Sequence, residues 1–283
     1  MTIPANARET PKPPIAMLVS DIDGTLVTPD KSLTPRAIEA VARLAKAGVA
    51  FTLVSSRPPR GMAALARTLN VSLPLAAFNG ATLVSPQLRV IRALHPSARA
   101  ARAMLTLLAA EQVQAWIFAD NAWFLRDPDG ARVAHERHTV GFEPTVVDSF
   151  EPVIDRVDKI VGVCDDAALL DAVEAKARDL LGASAAVIRS QSYYLDVTHP
   201  LADKGAAVRD LSREAGVDLA RTAVIGDMTN DIAMFKVAGF AVAMGQAPDA
   251  VKAEADAVTA PNTDDGFAKA VEDLILPRAQ RPV

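Results

Sequence analysis

The chain has 283 residues, of which 50% are hydrophobic and 23% are charged, a composition typical of a globular protein with one large domain or two medium ones. Its 30 Lys and Arg residues against 34 Asp and Glu residues give a formal charge of -4. This balance argues against nucleic acid or an anionic membrane surface as the main partner, because both require a basic surface.

Residues 1–14 contain several prolines and no apolar core, which predicts a disordered tail rather than a signal peptide. No stretch approaches the ~20 apolar residues that span a bilayer, so we expect a cytoplasmic protein. Cys164 is the only cysteine. It excludes an internal disulfide, and its apolar surroundings predict a buried structural thiol.

The first part of the ordered chain alternates strands and helices. Thr34 and Pro35 provide the first helix with an N-cap and a favourable first residue. The pattern is typical of a doubly wound parallel sheet. It predicts strands at 15–20, 49–54 and 75–78, and helices at 33–47 and 58–69.

The middle of the chain changes character and suggests a separate antiparallel α+β unit. Trp116 and Trp123 are interpreted as packing residues of this unit. His135 and His138 are three residues apart and could share a helix face as metal ligands, but they lack a carboxylate partner at a recognised metal-binding spacing. The predicted elements are helices at 97–111 and 167–181, hairpins at 113–126 and 186–197, and a strand at 160–164.

The strand–helix alternation then resumes, with helices at 206–215, 232–238 and 267–274 and strands at 222–225 and 240–244. The predicted fold class is therefore α/β, with a doubly wound, Rossmann-like parallel-sheet core interrupted by an inserted α+β cap. The predicted domains are a tail at 1–14, a catalytic core at 15–83 and 199–283, and a cap at 84–198.

Two aspartates follow the first predicted strand in the string Asp21-Ile22-Asp23-Gly24-Thr25. Ligands of open α/β sheets bind beyond the carboxyl ends of the strands, so a site is expected here. Acids at positions i and i+2 lie on one side of an extended segment and can face one phosphoryl group. One would be ionised as nucleophile or metal ligand, while the other carries a proton for the leaving oxygen. Like charges favour this division, because their proximity raises the pKa of one carboxyl group.

Ser55, Ser56 and Arg57 follow the second predicted strand, and Lys204 opens the first helix after the insertion. A hydroxyl and a backbone amide at this sheet edge can hold phosphate oxygens, although either serine alone is more typical of a helix N-cap. A lysine beside a phosphate would stabilise charge in the transition state, although an isolated lysine at a helix start is ordinarily solvated.

The string GDMTND follows the strand at 222–225 and contributes Asp227, Asn230 and Asp231. Mg2+ prefers hard oxygen ligands and keeps several waters, so Asp21, Asp227 and one carbonyl oxygen would be sufficient. N-capping of the next helix explains one of these acids but not two acids and an amide. These residues therefore indicate a magnesium site.

The strings DIDGT, VSSRP, Lys204-Gly205 and GDMTND occur in this order. Together they resemble the motifs of the haloacid dehalogenase superfamily, and within it the Cof-like sugar-phosphate phosphatases that carry a large α/β cap. The resemblance covers nearly all of the chain beyond the tail. One departure is the Ser55-Ser56 pair, where the family usually has Thr-Gly. Serine keeps the hydroxyl, but the side chain of Ser56 alters the approach of the backbone.

The resemblance implies a Mg2+-dependent phosphatase that forms an aspartyl-phosphate on Asp21. It makes Asp21 the nucleophile and a metal ligand, and Asp23 the general acid, then the base, with a metal-binding carbonyl. Asp231 would support the metal or orient Lys204. The remaining roles that the resemblance implies are metal binding by Asp227 and phosphate or substrate binding by Ser55, Ser56, Arg57, Lys204 and Asn230.

The expected substrate is a small phosphate monoester, either a sugar phosphate or a phosphorylated cofactor. Two other functions remain open at this point. A phosphotransferase or mutase would share the aspartyl-phosphate step and pass the group to another hydroxyl. A non-catalytic phospho-ligand sensor would keep the fold but has no need of Asp23. No pattern in the sequence indicates an oligomeric state.

Overall fold

A five-stranded parallel sheet organises the chain, which a computed structural model describes over residues 13–279. Most of the tail predicted at 1–14 lies outside the described residues. The strands are β1 (Met17–Ser20), β2 (Ala50–Leu53), β3 (Leu75–Ala77), β4 (Thr82–Val84), β5 (Val90–Ala93), β6 (Gln114–Ala119), β7 (Ala122–Leu125), β8 (Thr145–Val146), β9 (Val157–Val163), β10 (Ala186–Gln191), β11 (Tyr194–Thr198), β12 (Thr222–Gly226), β13 (Phe240–Ala243) and β14 (Ala257–Val258). The helices are α1 (Pro35–Lys46), α2 (Pro59–Thr68), α3 (Ala98–Ala110), α4 (Val133–Val140), α5 (Ala167–Leu181), α6 (Lys204–Ala215), α7 (Ile232–Phe235), α8 (Asp249–Lys252) and α9 (Gly266–Lys269).

The parallel sheet has the strand order β14-β13-β12-β1-β2, with the first strand between β12 and β2. All four residues of β1 are buried, as expected for a strand that is covered on both faces. Leu18 belongs to the apolar cluster that includes α1 and α9, whereas Met17 and Val19 pack with α6 and α7. The predicted doubly wound core is therefore confirmed.

Helix α1 shows how local sequence signals produce the predicted elements. The Thr34 hydroxyl accepts a hydrogen bond from the Ala37 amide and caps the helix, and Pro35 occupies its first position. The buried residues of the helix recur at intervals of three and four, which turns one face towards the sheet. Thr34 also donates to Asp265 Oδ1 over 2.8 Å. It thereby ties the start of α1 to the start of α9.

The inserted unit is built on a six-stranded sheet of order β10-β11-β9-β6-β7-β8, antiparallel except where β7 pairs with β8. Helices α3 and α5 cover one face, which includes Ile117. The opposite face carries Trp116 and Phe118, which join the apolar cluster of the core. Trp116 and Trp123 are fully buried with ring centroids 5.0 Å apart, so the prediction that they are packing residues is confirmed.

The third predicted strand differs from expectation. β3 meets β2 in a single parallel bridge between Val54 and Ala76, and it pairs mainly with β4 in an antiparallel sheet of order β3-β4-β5. The cause is a tight reversal directly after β3, where Phe78 and Asn79 both have positive φ angles, of 51° and 56°. The cap boundary predicted at residue 84 thus falls at the end of β4, before β5 returns to the same sheet.

Four further details differ from the sequence prediction. Helix α7 ends at Phe235, and the last helix continues beyond α9 as a π-helical segment, Ala270–Ile275. Helix α4 was not predicted, because its residues show little amphipathic spacing. Cys164 is only partly buried. Among the described residues, no helix has the length and apolar character needed to cross a bilayer.

Replacing Thr34 by Ala is expected to destabilise the protein, because α1 loses its N-cap and its link to Asp265. Loss of an N-cap costs about 1 kcal/mol, which corresponds to a fall of about 2–4 °C in melting temperature. Thr68→Ala is a matched control, because within residues 13–279 the Thr68 hydroxyl bonds only the Ala64 carbonyl of its own helix. Equal melting temperatures for the two variants would contradict the proposed capping contribution.

Candidate active site

The carboxyl ends of two neighbouring strands bring the predicted motifs together. Asp21 follows β1 and Asp227 follows β12, and these strands pair in register from Met17 with Thr222 onwards. The Asp21 amide continues this pairing with a 3.0 Å hydrogen bond to the Ile225 carbonyl. Residues separated by about two hundred positions in the sequence therefore lie side by side at one edge of the sheet.

Lys204, the first residue of α6, lies buried between two of these acids. Its Nζ atom is 2.7 Å from Asp21 Oδ1 and 2.6 Å from Asp231 Oδ1, and only 2% of the residue is exposed. Burial lowers the pKa of Lys204, but the charges of Asp21 and Asp231 outweigh this effect and raise it above its ordinary value. Lys204 is therefore a fixed cation of the site rather than a solvated lysine.

Gly24 allows the loop after β1 to lie against Asp227. Its φ angle is +82°, and an added Cβ atom would lie only 2.2 Å from Asp227 Oδ2, so a side chain is excluded on two grounds. The next residue, Thr25, donates from Oγ1 to Asp227 Oδ1 over 3.1 Å. The Asp-Gly-Thr sequence thus serves to hold the Asp227 carboxylate beside Asp21.

The carboxylates of Asp21, Asp227 and Asp231 form a cluster in which one oxygen of each lies within 4.8 Å of the others. Burial raises the pKa of Asp21 to about 7, with Lys204 opposing and Asp231 adding to the rise. Burial, reinforced by Asp21 and Asp231, raises the pKa of Asp227 to about 8. A buried set of hard oxygen donors with too little positive charge fits a divalent cation such as Mg2+.

Asp231 is engaged more fully by the protein than the other two acids. Its Oδ2 atom accepts hydrogen bonds from the amides of Asp227 and Met228 at 2.8 and 2.9 Å, and its Oδ1 atom accepts from Lys204. Asp21 and Asp227 therefore have more oxygen lone pairs available for an added cation.

Asp23 lies in a different electrostatic environment, although it is only two residues from Asp21. Arg57 binds it through two hydrogen bonds of 2.7 Å, and Lys31 Nζ is 2.8 Å from its Oδ1 atom. Burial raises the pKa of Asp23, but the hydrogen bonds and charges of Arg57 and Lys31 outweigh it and hold the pKa well below its usual range. The pKa shifts of the two acids thus run opposite to the predicted division of charge, because sequence spacing does not show these two cations.

The two serines after β2, Ser55 and Ser56, do not cap the helix that follows them. Helix α2 has Pro58 at its N-cap position without a side-chain hydrogen bond, so the N-cap interpretation of either serine is wrong. The Ser55 hydroxyl accepts from the Arg57 amide at 3.1 Å, which leaves its own proton free to donate. The Ser56 carbonyl accepts a hydrogen bond from Lys159 of the cap at 3.0 Å.

Asn230 lies at the same sheet edge and bonds Asn79, a residue of the reversal after β3. Its Nδ2 atom donates to Asn79 Oδ1 over 3.1 Å. Among the described residues, the buried Oδ1 atom of Asn230 and the buried Nδ2 atom of Asn79 have no hydrogen-bond partner. This amide pair therefore retains both a donor and an acceptor beside Lys204.

Several site residues come from parts of the chain where the sequence showed no motif. Lys31 follows the first motif, and Glu136, Lys159 and Asp196 belong to the cap. Neither predicted histidine belongs to a metal cluster among the described residues, because His135 pairs with the Tyr193 hydroxyl and His138 with the Asp30 carbonyl. The pairing of His138 with Asp30 depends on the docking of cap and core, which no local sequence signal reports.

Comparisons with known proteins agree with this architecture. The family profile described as haloacid dehalogenase-like hydrolase matches residues 18–271, and the chain belongs to this family. A putative phosphatase of Haemophilus influenzae is 29% identical over 90% of this chain and 96% of its own length. Pyridoxal phosphate phosphatase of Escherichia coli is 26% identical over 92% and 98%, respectively.

Solved structures show the same relationship. A haloacid dehalogenase-like hydrolase from Bacteroides thetaiotaomicron has a TM-score of 0.82 at 25% identity and covers 91% of this chain and 98% of its own. A sugar phosphatase of subclass IIB has a TM-score of 0.80 at 25% identity, with coverages of 92% and 99%. The chain is therefore an enzyme of the phosphoric monoester hydrolase class, with the Cof-like type of inserted cap.

The raised pKa values of Asp21 and Asp227 predict a pH-dependent stability. Because both lie above the unfolded value of 3.8, the folded protein binds more protons than the unfolded chain between that pH and about pH 8. Its stability therefore falls as the pH rises through this window. Asp227→Asn removes one buried charge but keeps an acceptor for Thr25. In chelator at pH 8, it is expected to raise the melting temperature by about 2–4 °C.

The same substitution should have a smaller effect at pH 5, where Asp227 is protonated in the folded protein. Asp129→Asn is the control, because Asp129 is an exposed loop residue. A melting temperature of Asp227→Asn at or below that of the wild type at pH 8 would show that the cluster does not destabilise the metal-free fold.

Proposed function

We propose that the protein is a Mg2+-dependent phosphatase that hydrolyses small phosphate monoesters through an aspartyl-phosphate on Asp21. The observation that carries this proposal is the buried contact of Lys204 with Asp21 and Asp231, next to Asp227. A carboxylate held at a sheet edge beside a fixed cation and a cation-binding acid pair has the groups that a phosphoryl transfer requires.

Asp21 is suited to the role of nucleophile. Its Oδ1 atom is held by Lys204, and no hydrogen bond from the described residues to its Oδ2 atom is seen. That oxygen can form the bond to phosphorus while the bond from phosphorus to the leaving oxygen breaks. Water would then attack phosphorus in the acyl-phosphate, which releases inorganic phosphate and regenerates the Asp21 carboxylate.

Asp21, Asp227 and the backbone carbonyl of Asp23 would hold Mg2+, as the oxygen-rich donor set suits this ion. The ion would neutralise charge on the phosphoryl group. Asp231 supports the site mainly by orienting Lys204, since three protein groups already donate to its carboxylate.

Asp23 is proposed as the acid for the leaving oxygen and then as the base for water. Arg57 and Lys31 keep it ionised, which suits the second step. Its role as acid requires these cations to give up part of their contact. An entering phosphate would promote this change, because its negative charge raises the pKa of Asp23.

The phosphoryl oxygens would be bound by groups with free donors at the same edge. Lys204 supplies an ammonium group, Ser55 retains its hydroxyl proton, and the amide pair of Asn230 and Asn79 retains a donor. Ser56 contributes through its carbonyl by positioning Lys159. Arg57 contributes by holding Asp23 rather than by standing free for phosphate.

The proposed domains are a core at 15–83 and 199–283 and a substrate-selecting cap at 84–198. In support of this division, the core and the cap meet through defined polar bonds. Arg57 Nη1 donates to the Thr139 carbonyl over 2.9 Å, and Lys159 Nζ donates to the Ser56 carbonyl over 3.0 Å. Such contacts would close the cap over a substrate and exclude water. Relatives named as phosphatases of pyridoxal phosphate and of HMP-PP support a small phosphorylated substrate.

The proposal is tested by phosphate release from phenyl phosphate in the presence of Mg2+. Asp21→Asn is expected to lose activity roughly a thousandfold or more, because the amide cannot form the acyl-phosphate. Chelation should abolish the wild-type activity and added Mg2+ should restore it. Acid-quenched wild-type enzyme should carry phosphate on the peptide that contains Asp21.

Asp129→Asn, an exposed substitution of the same kind, should retain wild-type activity. If Asp21→Asn releases phosphate as fast as the wild type, the catalytic role of Asp21 fails and a phospho-ligand sensor becomes the better explanation. Transfer of phosphate to an added sugar instead of water would identify a phosphotransferase or mutase.

Arg57 provides a second test, because it positions Asp23. Arg57→Ala is expected to lower kcat about a hundredfold with little change in KM, since positioned acid–base groups contribute about 10²–10⁴-fold. Arg60→Ala is the matched control. Arg60 also reaches the cap, through the Asn121 carbonyl and the Phe142 ring, but does not contact Asp23. A raised KM with unchanged kcat in Arg57→Ala would instead show direct phosphate binding.

A further inference from the structure

The narrow cleft between core and cap is where the leaving group must lie. Asp23 and Arg57 line it from the core, and residues of α4, β10 and β11 line it from the cap. The proposed acid has to contact the leaving oxygen, so the carbon skeleton attached to that oxygen occupies this cleft. Its volume is about 30 Å³, which is room for about one water. A substrate therefore enters when the cap moves outward, and the side chains of the cleft then contact it.

Most polar side chains that the cap contributes already have protein partners. Lys159 Nζ forms an ion pair with the buried Asp196 over 3.2 Å and also donates to the Ser56 carbonyl. His135 Nε2 lies 3.1 Å from the Tyr193 hydroxyl. These groups line the cleft, and most of their hydrogen bonds are already formed with neighbouring residues of the protein.

Glu136 differs from these groups, because its carboxyl group faces the Tyr194 hydroxyl rather than a cation. It is 6% exposed, and no cation of the described residues forms an ion pair with it. It lies on α4, three residues before Thr139, whose carbonyl binds Arg57, so it belongs to the helix face that is turned towards the site. Burial raises the pKa of Glu136, with Lys159 opposing and Asp23 adding to the rise. An acid buried without a cation destabilises a fold, so its position calls for a role other than packing.

We propose that Glu136 is a specificity-determining residue that forms a hydrogen bond to a hydroxyl of the leaving group and so selects polyhydroxylated phosphate esters. This inference rests on the proposed phosphatase function. A hydroxyl suits Glu136 in either protonation state, because it donates to a carboxylate and accepts from a carboxylic acid. Ser190, Gln191 and Tyr193 add further polar groups to the same cleft. An alkyl or aryl leaving group would offer no hydrogen bond to the buried Glu136 carboxyl group, and sites built for a hydroxyl discriminate strongly against its absence.

The inference is tested with pairs of substrates of equal chain length, alditol phosphates of three to six carbons and the corresponding alkyl phosphates. The wild-type enzyme is expected to prefer at least one alditol phosphate by tenfold or more in kcat/KM. In Glu136→Ala, this kcat/KM should fall by tenfold or more, chiefly through KM. The value for the alkyl phosphates should change by less than threefold, so that the preference collapses. Glu136→Gln, which keeps the shape and an acceptor, should retain part of the preference.

Glu143→Gln serves as the matched control, because Glu143 is exposed and pairs with Arg137 outside the cleft. An equal loss on both substrate series, or an unchanged preference in Glu136→Ala and Glu136→Gln, would overturn the role of Glu136 while leaving the phosphatase function intact. Failure of the phosphatase function has a different signature, in which wild type and Asp21→Asn release no phosphate from any substrate. A wild-type enzyme without preference for alditol phosphates would also overturn the inference.

Discussion

The site depends on one buried ammonium group. Lys204 lies between Asp21 and Asp231, with only 2% of the residue exposed. Removing one member of such a contact leaves an uncompensated charge in the interior, which is far more costly than the loss of a surface ion pair. The contact joins the first strand to the helix that follows the inserted unit. The same arrangement that completes the sheet therefore also assembles the chemical groups.

Two acids of one short motif have opposite electrostatic properties. Asp21 shares a buried pocket with Asp227 and Asp231, and burial among like charges raises its pKa to about 7. Asp23 points to Arg57 and Lys31, which hold its pKa below the ordinary range. Asp21 and Asp23 are two residues apart in an extended segment, so their side chains lie near one another. Neighbours from other segments then shift the pKa values of the two acids in opposite directions.

The cap contributes side chains to the site, because the face of its sheet that lacks helices is turned to the core. Trp116 and Phe118 pack in the core cluster, and Lys159 and Thr139 reach the core through polar bonds. These contacts bring Glu136 close to Asp23 and Arg57. Residues that contact the leaving group and residues that catalyse the reaction thus lie together only when cap and core are docked.

The sequence by itself determined the doubly wound core, the hairpins of the cap and the motifs at the ends of β1, β2 and β12, since period, capping and turn residues are local signals. It did not show the partners of Asp23, the reversal after β3 or the position of Glu136. The reversal depends on positive φ angles at Phe78 and Asn79. Lys31 and Arg57 reach Asp23 from other segments of the core, and Arg57 also joins the core to α4 of the cap. Tertiary structure decided these features, because ion pairing and burial are set by neighbours in space rather than along the chain.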